Sequence, residues 1–74
     1  MSTPIQKINM KPEEVKAFRD KFQFTVHSLG EWLGVTWQAV KLWEEGKRGV
    51  PETTARLFKL VDKYPQLKGE FYGN

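Results

Sequence analysis

Helix breakers and capping residues recur along this chain at short intervals, and that spacing limits what it can fold into. Pro12, Thr25, the Gly34-Val35-Thr36 step, the Gly46-Lys47-Arg48-Gly49-Val50 stretch, Pro51 and Pro65 punctuate the sequence. They leave pieces of about ten residues, near the ordinary length of a globular helix. No piece approaches the roughly 18–20 apolar residues of a membrane span. Strand signals are weak, with no sustained alternation and no Asn-Gly or Asp-Gly turn. The pattern predicts an all-α fold, a compact bundle of four to five short helices.

Each piece carries its own start, apolar face and stop. Lys11-Pro12-Glu13-Glu14 reads as a helix start, because proline costs nothing in a first turn and acidic residues suit the positive end of the helix dipole. Val15, Phe18 and Phe22 follow at helical spacing, with Arg19 on the same side. Thr25 is a good N-cap for a second helix with Leu29, Trp32 and Leu33 inward, and Gly34 suits a left-handed C-cap. Thr36 caps a third helix with Val40 and Trp43 inward, running to about Glu45. Pro51-Glu52 opens a fourth, with Ala55, Leu57, Phe58, Leu60 and Val61 as its apolar positions and an end near Tyr64. From Gln66 to Asn74 the chain is either one more short helix or a C-terminal arm, holding Leu67, Phe71 and Tyr72. Residues 1–11 are polar and aperiodic and read as a flexible arm, leaving residues 12–74 as one domain.

A chain of 74 residues has room for a thin core only. It has no cysteine and one histidine, His27, which excludes a disulfide framework, a thiolate zinc site and a multi-histidine metal site. No nucleophile–base spacing or phosphate-binding loop is present, so neither an enzyme nor a cofactor or metal site is expected. Glu13-Glu14 and Glu44-Glu45 are adjacent pairs, so neither shares a helix face as an acid/base couple does. Met1 to Lys11 lacks the apolar stretch of a signal peptide, and a cytoplasmic location is the expectation. The formal net charge of +3 suits a polyanionic partner without requiring one.

The segment Phe24 to Pro51 holds Leu29, Leu33, Gly34, Val35, Thr36, Val40, Trp43, Glu44, Gly46, Arg48 and Pro51 in one register. In these positions it resembles the helix-turn-helix of lambda-repressor-like (Cro/XRE) DNA-binding regulators. The resemblance extends over about Pro12 to Tyr64. It departs at Gly30, where the family usually has Ala, and at Ala39, where Thr or Ser is common. The fold it implies is a four- to five-helix bundle whose third helix enters the DNA major groove. Arg19 and Glu44 stand where many members carry a structural ion pair between the first and third helices.

With Thr36 as N-cap, Trp37, Gln38, Lys41 and Leu42 project away from Val40 and Trp43, and these are the candidate base-contacting residues. Gln38 is either an adenine reader or a solvated amide. Trp37 either meets DNA, at sugar or a thymine methyl, or packs on a neighbouring loop. Lys41 faces DNA or solvent, and Leu42 a methyl group or solvent. Helix ends and loops should supply phosphate contacts, from Thr25, His27, Thr36, Lys47 and Arg48. The bland alternative for Lys47 and Arg48 is a solubilising loop, and for His27 a solvated surface side chain.

A single module of this kind offers little surface for tight specific binding, so a dimer on a pseudo-palindromic duplex is expected. Leu67, Phe71, Tyr72 and the outer side of the fourth helix are the dimerisation candidates. The expected function is that of a sequence-specific transcriptional regulator, most simply a homodimeric repressor of phage or antitoxin type. The alternative is a protein-interaction module, an antitoxin or inhibitor whose partner is another protein such as a toxin.

Overall fold

The computed structural model describes the backbone of residues 9–71 and the side chains of residues 9–69. Among the described residues five helices follow one another: α1 (Pro12–Lys21), α2 (Val26–Leu33), α3 (Trp37–Glu44), α4 (Glu52–Lys63) and α5 (Leu67–Phe71). No strand occurs among the described residues. The all-helical expectation holds, and the segment left open after Pro65 forms a short helix.

Local chemistry sets each boundary. Pro12 occupies the first turn of α1, and the Glu14 carboxylate reaches back to accept the Lys11 backbone N–H at 2.9 Å. That bond holds the Glu14 carboxyl below its usual range, burial opposing it and Lys59 assisting. After α1 the chain turns through Gln23, at φ 60°, and the Phe24 N–H donates to the Arg19 carbonyl at 2.8 Å. At the head of α2, Thr25 Oγ1 accepts the Ser28 N–H at 3.0 Å. Ser28 Oγ in turn accepts the Thr25 N–H at 2.8 Å, a reciprocal cap in which serine stands where glutamate is commoner. Thr36 Oγ1 accepts the Ala39 N–H at 3.3 Å and so caps α3. Pro51 precedes α4 without a side-chain cap, and Pro65 follows its end at Tyr64.

The core joins residues from the first four helices and the Phe24 link: Val15, Phe18, Phe24, Leu29, Trp32, Val40, Trp43, Phe58 and Val61. Phe18 is its hub. Its ring meets Phe58 edge-on at 4.6 Å between centroids, and Phe22 at 4.7 Å. Trp32 and Phe24 lie 6.1 and 6.3 Å from it. Trp43 stands edge-on to Phe58 at 6.3 Å, its indole N–H buried with no acceptor among the described residues. Such a group costs about 1–3 kcal/mol of lost hydration, so aromatic packing must offset it.

Three expectations need adjustment. Leu60, placed by sequence on the apolar side of α4, is 44% exposed. The buried stripe of α4 is Ala55, Phe58 and Val61, and Leu60 lies two residues beyond Phe58, about 200° around the helix. Leu33, expected as plain core, is half-buried at the rim. Met10, assigned to the arm, packs against the core. Residues 1–8 of that arm lie outside the described residues.

Candidate functional site

The α2–α3 corner is built by two glycines with different tasks. Gly34 stops α2 in the left-handed region at φ 80°, where a side chain is strained, and its N–H donates to the Gly30 carbonyl at 2.8 Å. Gly30 is a matter of space. A Cβ there would lie 2.8 Å from the Val35 carbonyl oxygen and 3.2 Å from both the Thr36 carbonyl carbon and the Trp37 nitrogen. The absence of a side chain at Gly30 is therefore required by the backbone leading into α3. Alanine, usual at this place in the resembling family, would need that backbone to move.

This corner fixes which residues α3 presents. Val40 and Trp43 are buried, while Gln38 and Lys41 are exposed and Trp37 is 37% exposed. Leu42 is half-buried, so the outward group is led by Trp37, Gln38 and Lys41. The loop after α3 folds back on it. The backbone N–H groups of Lys47 and Arg48 donate to the Leu42 carbonyl at 3.0 and 3.3 Å, which sets both basic side chains beside the end of α3.

Charge on this surface is largely uncompensated. Lys41 and Arg48 have no carboxylate partner among the described residues. Lys47 approaches Glu45 at 3.6 Å, but both are exposed, and a pair of that kind holds little energy. Thr25 and Thr36 are exposed, yet each hydroxyl already serves its own cap.

The structure also brings together two rings that sequence spacing left apart. His27, in the first turn of α2, lies with its ring 4.8 Å from that of Trp37, the planes 35° apart. Periodicity within either helix carries no signal for this contact, because it exists only through the closeness of the corner.

Arg19 and Glu44 meet as the resemblance implied. Arg19 Nε donates to Glu44 Oε2 at 2.7 Å and Nη2 to Oε1 at 3.1 Å, a two-point grip. Their side chains retain 20% and 15% exposure. The Glu44 bond raises the Arg19 guanidinium above its ordinary value, against the effect of burial. Arg19 Nη1 also reaches the Phe24 carbonyl at 3.4 Å. One side chain thus ties the end of α3 to α1 and to the lead-in of α2.

The dimerisation candidates stand differently. Leu67 is half-buried and packs on its own core. The side chain of Phe71 and all of Tyr72 lie outside the described residues. Leu60 on α4 and Tyr64 at its end are exposed large apolar side chains. Near α5, Trp32 Nε1 donates to the Lys68 carbonyl at 3.0 Å, and the Lys68 ammonium sits 4.8 Å over the Phe24 ring. These contacts fasten α5 to α2.

Among the described residues, no group of three metal-ligating side chains comes together, and no helix is long and apolar enough to cross a membrane. No model of a known protein family matches this chain, and no curated protein matches it either.

Proposed function

We propose that this chain is a sequence-specific DNA-binding transcriptional regulator of helix-turn-helix type, acting as a homodimer with α3 in the major groove. The observation that carries the reading is the outward face of α3: Trp37, Gln38 and Lys41, presented by a corner too tight to admit a Cβ. Lys41 and Arg48, without carboxylate partners among the described residues, are available to a polyanion. Gln38 has the donor and acceptor of an adenine reader. The heads of α2 and α3, with Thr25, His27 and Thr36, and the loop cations Lys47 and Arg48 are suited to phosphate. Arg19 and Glu44 hold the reading helix in place and touch no DNA.

Dimeric binding means a pseudo-palindromic site with half-site centres about 34 Å, or 10–10.5 base pairs, apart, or a multiple of that. Selection of bound duplexes from a random pool tests this directly. A two-fold symmetric site bound by two chains supports the reading. A pool that never enriches removes it.

Exposed Leu60 and Tyr64 on and beside α4 favour a second reading, a module whose main partner is another protein. The same selection separates the two, since a pure interaction module enriches no DNA.

A further inference from the structure

The ring pair at the α2–α3 corner says more than that DNA is bound. His27 and Trp37 come from different helices, and the backbone between those helices is packed to within 2.8 Å of where a Gly30 Cβ would stand. Neither helix can slide without disturbing that contact. The imidazole rests against one side of the indole at 4.8 Å, while 37% of Trp37 stays open to solvent. An exposed tryptophan gains by turning its apolar surface onto its own chain. Here a neighbouring ring occupies that place, and the indole is held outward at the leading end of α3. A group ordered before binding loses less entropy when a partner arrives.

The surface so presented is flat, apolar and backed by a second ring. In the major groove, base edges offer donors, acceptors and one apolar group, the C5-methyl of thymine. Gln38, next in the chain, carries the complementary polar pattern for adenine. We infer that His27 and Trp37 form a methyl-reading unit, in which the indole packs on a thymine C5-methyl and His27 is the positioning residue that holds it there. The inference rests on the DNA-binding reading above and adds to it what Trp37 reads and what His27 does.

The test uses the full chain and the duplex it selects from an unmodified random pool. Each thymine is replaced in turn by deoxyuridine, which removes the methyl and leaves the hydrogen-bonding edge intact. One position per half-site should lose about four-fold in affinity, the ratio matching ~0.8 kcal/mol for one buried carbon at 1.4 kcal/mol per decade. The Trp37→Ala chain should bind both duplexes equally. His27→Ala should shrink the discrimination to under about two-fold, and His27→Phe, which keeps a ring, should restore it. Both native side chains are exposed, so the core is untouched, and unfolding midpoints check that each variant folds.

Equal binding to every deoxyuridine duplex overturns the methyl reading and leaves DNA binding standing. Full discrimination in His27→Ala overturns the positioning role. A chain that selects no duplex at all removes the DNA-binding reading, and this inference with it.

Discussion

At the scale of single residues, the two glycines of the α2–α3 corner separate conformational need from spatial need. Gly34 has open space around it but a positive φ, so alanine there should cost about 1–2 kcal/mol of backbone strain. Gly30 is helical, and alanine should bring about 1 kcal/mol of helix propensity. That gain meets a Cβ 2.8 Å from the Val35 oxygen, and backbone cannot step aside as a flexible side chain does. The expected net result for Gly30→Ala is a loss of about 1–2 kcal/mol, read from denaturant unfolding. A Gly30→Ala chain as stable as the parent would show that the corner is looser than its geometry. Arg19 and Glu44 form the other residue-scale device. Removing one partner strands a mostly buried charge and should cost about 2–4 kcal/mol, the exposed fraction keeping it toward the low end of values for buried pairs. Replacing both by apolar residues should cost well under the sum, and additivity in a double-mutant cycle would show that the pair is not coupled.

At the scale of elements, caps carry much of the specification. Thr36→Ala should destabilise the fold by about 1 kcal/mol through loss of the capping hydroxyl, which leaves the Ala39 N–H only its bond to the Thr36 carbonyl, and should appear as a shift in the unfolding midpoint. The cap of α1 has a pH signature. Glu14 is depressed in the folded state chiefly by its bond to the Lys11 N–H. Its contribution is therefore complete above the ordinary glutamate range and is lost as pH falls through the lowered value. Glu14→Gln should lower the melting temperature slightly at neutral pH, and the gap to the parent should close on acidification. A gap constant with pH would detach the effect from the carboxylate. These boundaries were legible in the sequence because capping is local: Pro12, Thr25, Gly34 and Thr36 each act within a few residues of themselves. The Thr25 to Ser28 reciprocity was less so, since serine is an unusual third-position partner. What was not legible depends on how helices cross. Leu60 looked apolar and in phase, and only the packing of α4 shows that Ala55, Phe58 and Val61 hold the inner stripe. His27 and Trp37 meet across a corner whose closeness no periodicity encodes. Arg19 and Glu44 are 25 residues apart, and it was family resemblance, not spacing, that joined them.

At the scale of the whole molecule, a small helical body places a close backbone approach behind α3, and beside it two cations with no carboxylate partner among the described residues. The formal net charge of +3 is modest, so the proposed DNA binding would rest on where charge sits more than on how much there is. Lys41 is exposed on α3 and Arg48 follows in the loop at its end, while much of the remaining charge is spent in pairs such as Lys21 with Asp62 and Lys59 with Glu14, which join α1 to α4. On the proposed reading, base readout and phosphate anchoring fall to different side chains, which should respond differently to mutation. Gln38→Ala would remove bonds that one base pair satisfies, and Arg48→Ala a contact that any sequence provides. The most direct measurement is the affinity of both variants for the selected duplex and for a scrambled one, across several salt concentrations. Gln38→Ala should cost about 1–3 kcal/mol on the selected duplex and little on the scrambled one. Arg48→Ala should weaken both alike and reduce the slope of log affinity against log salt by about one. Equal losses on both duplexes for Gln38→Ala would contradict the account, because α3 would then not be reading bases.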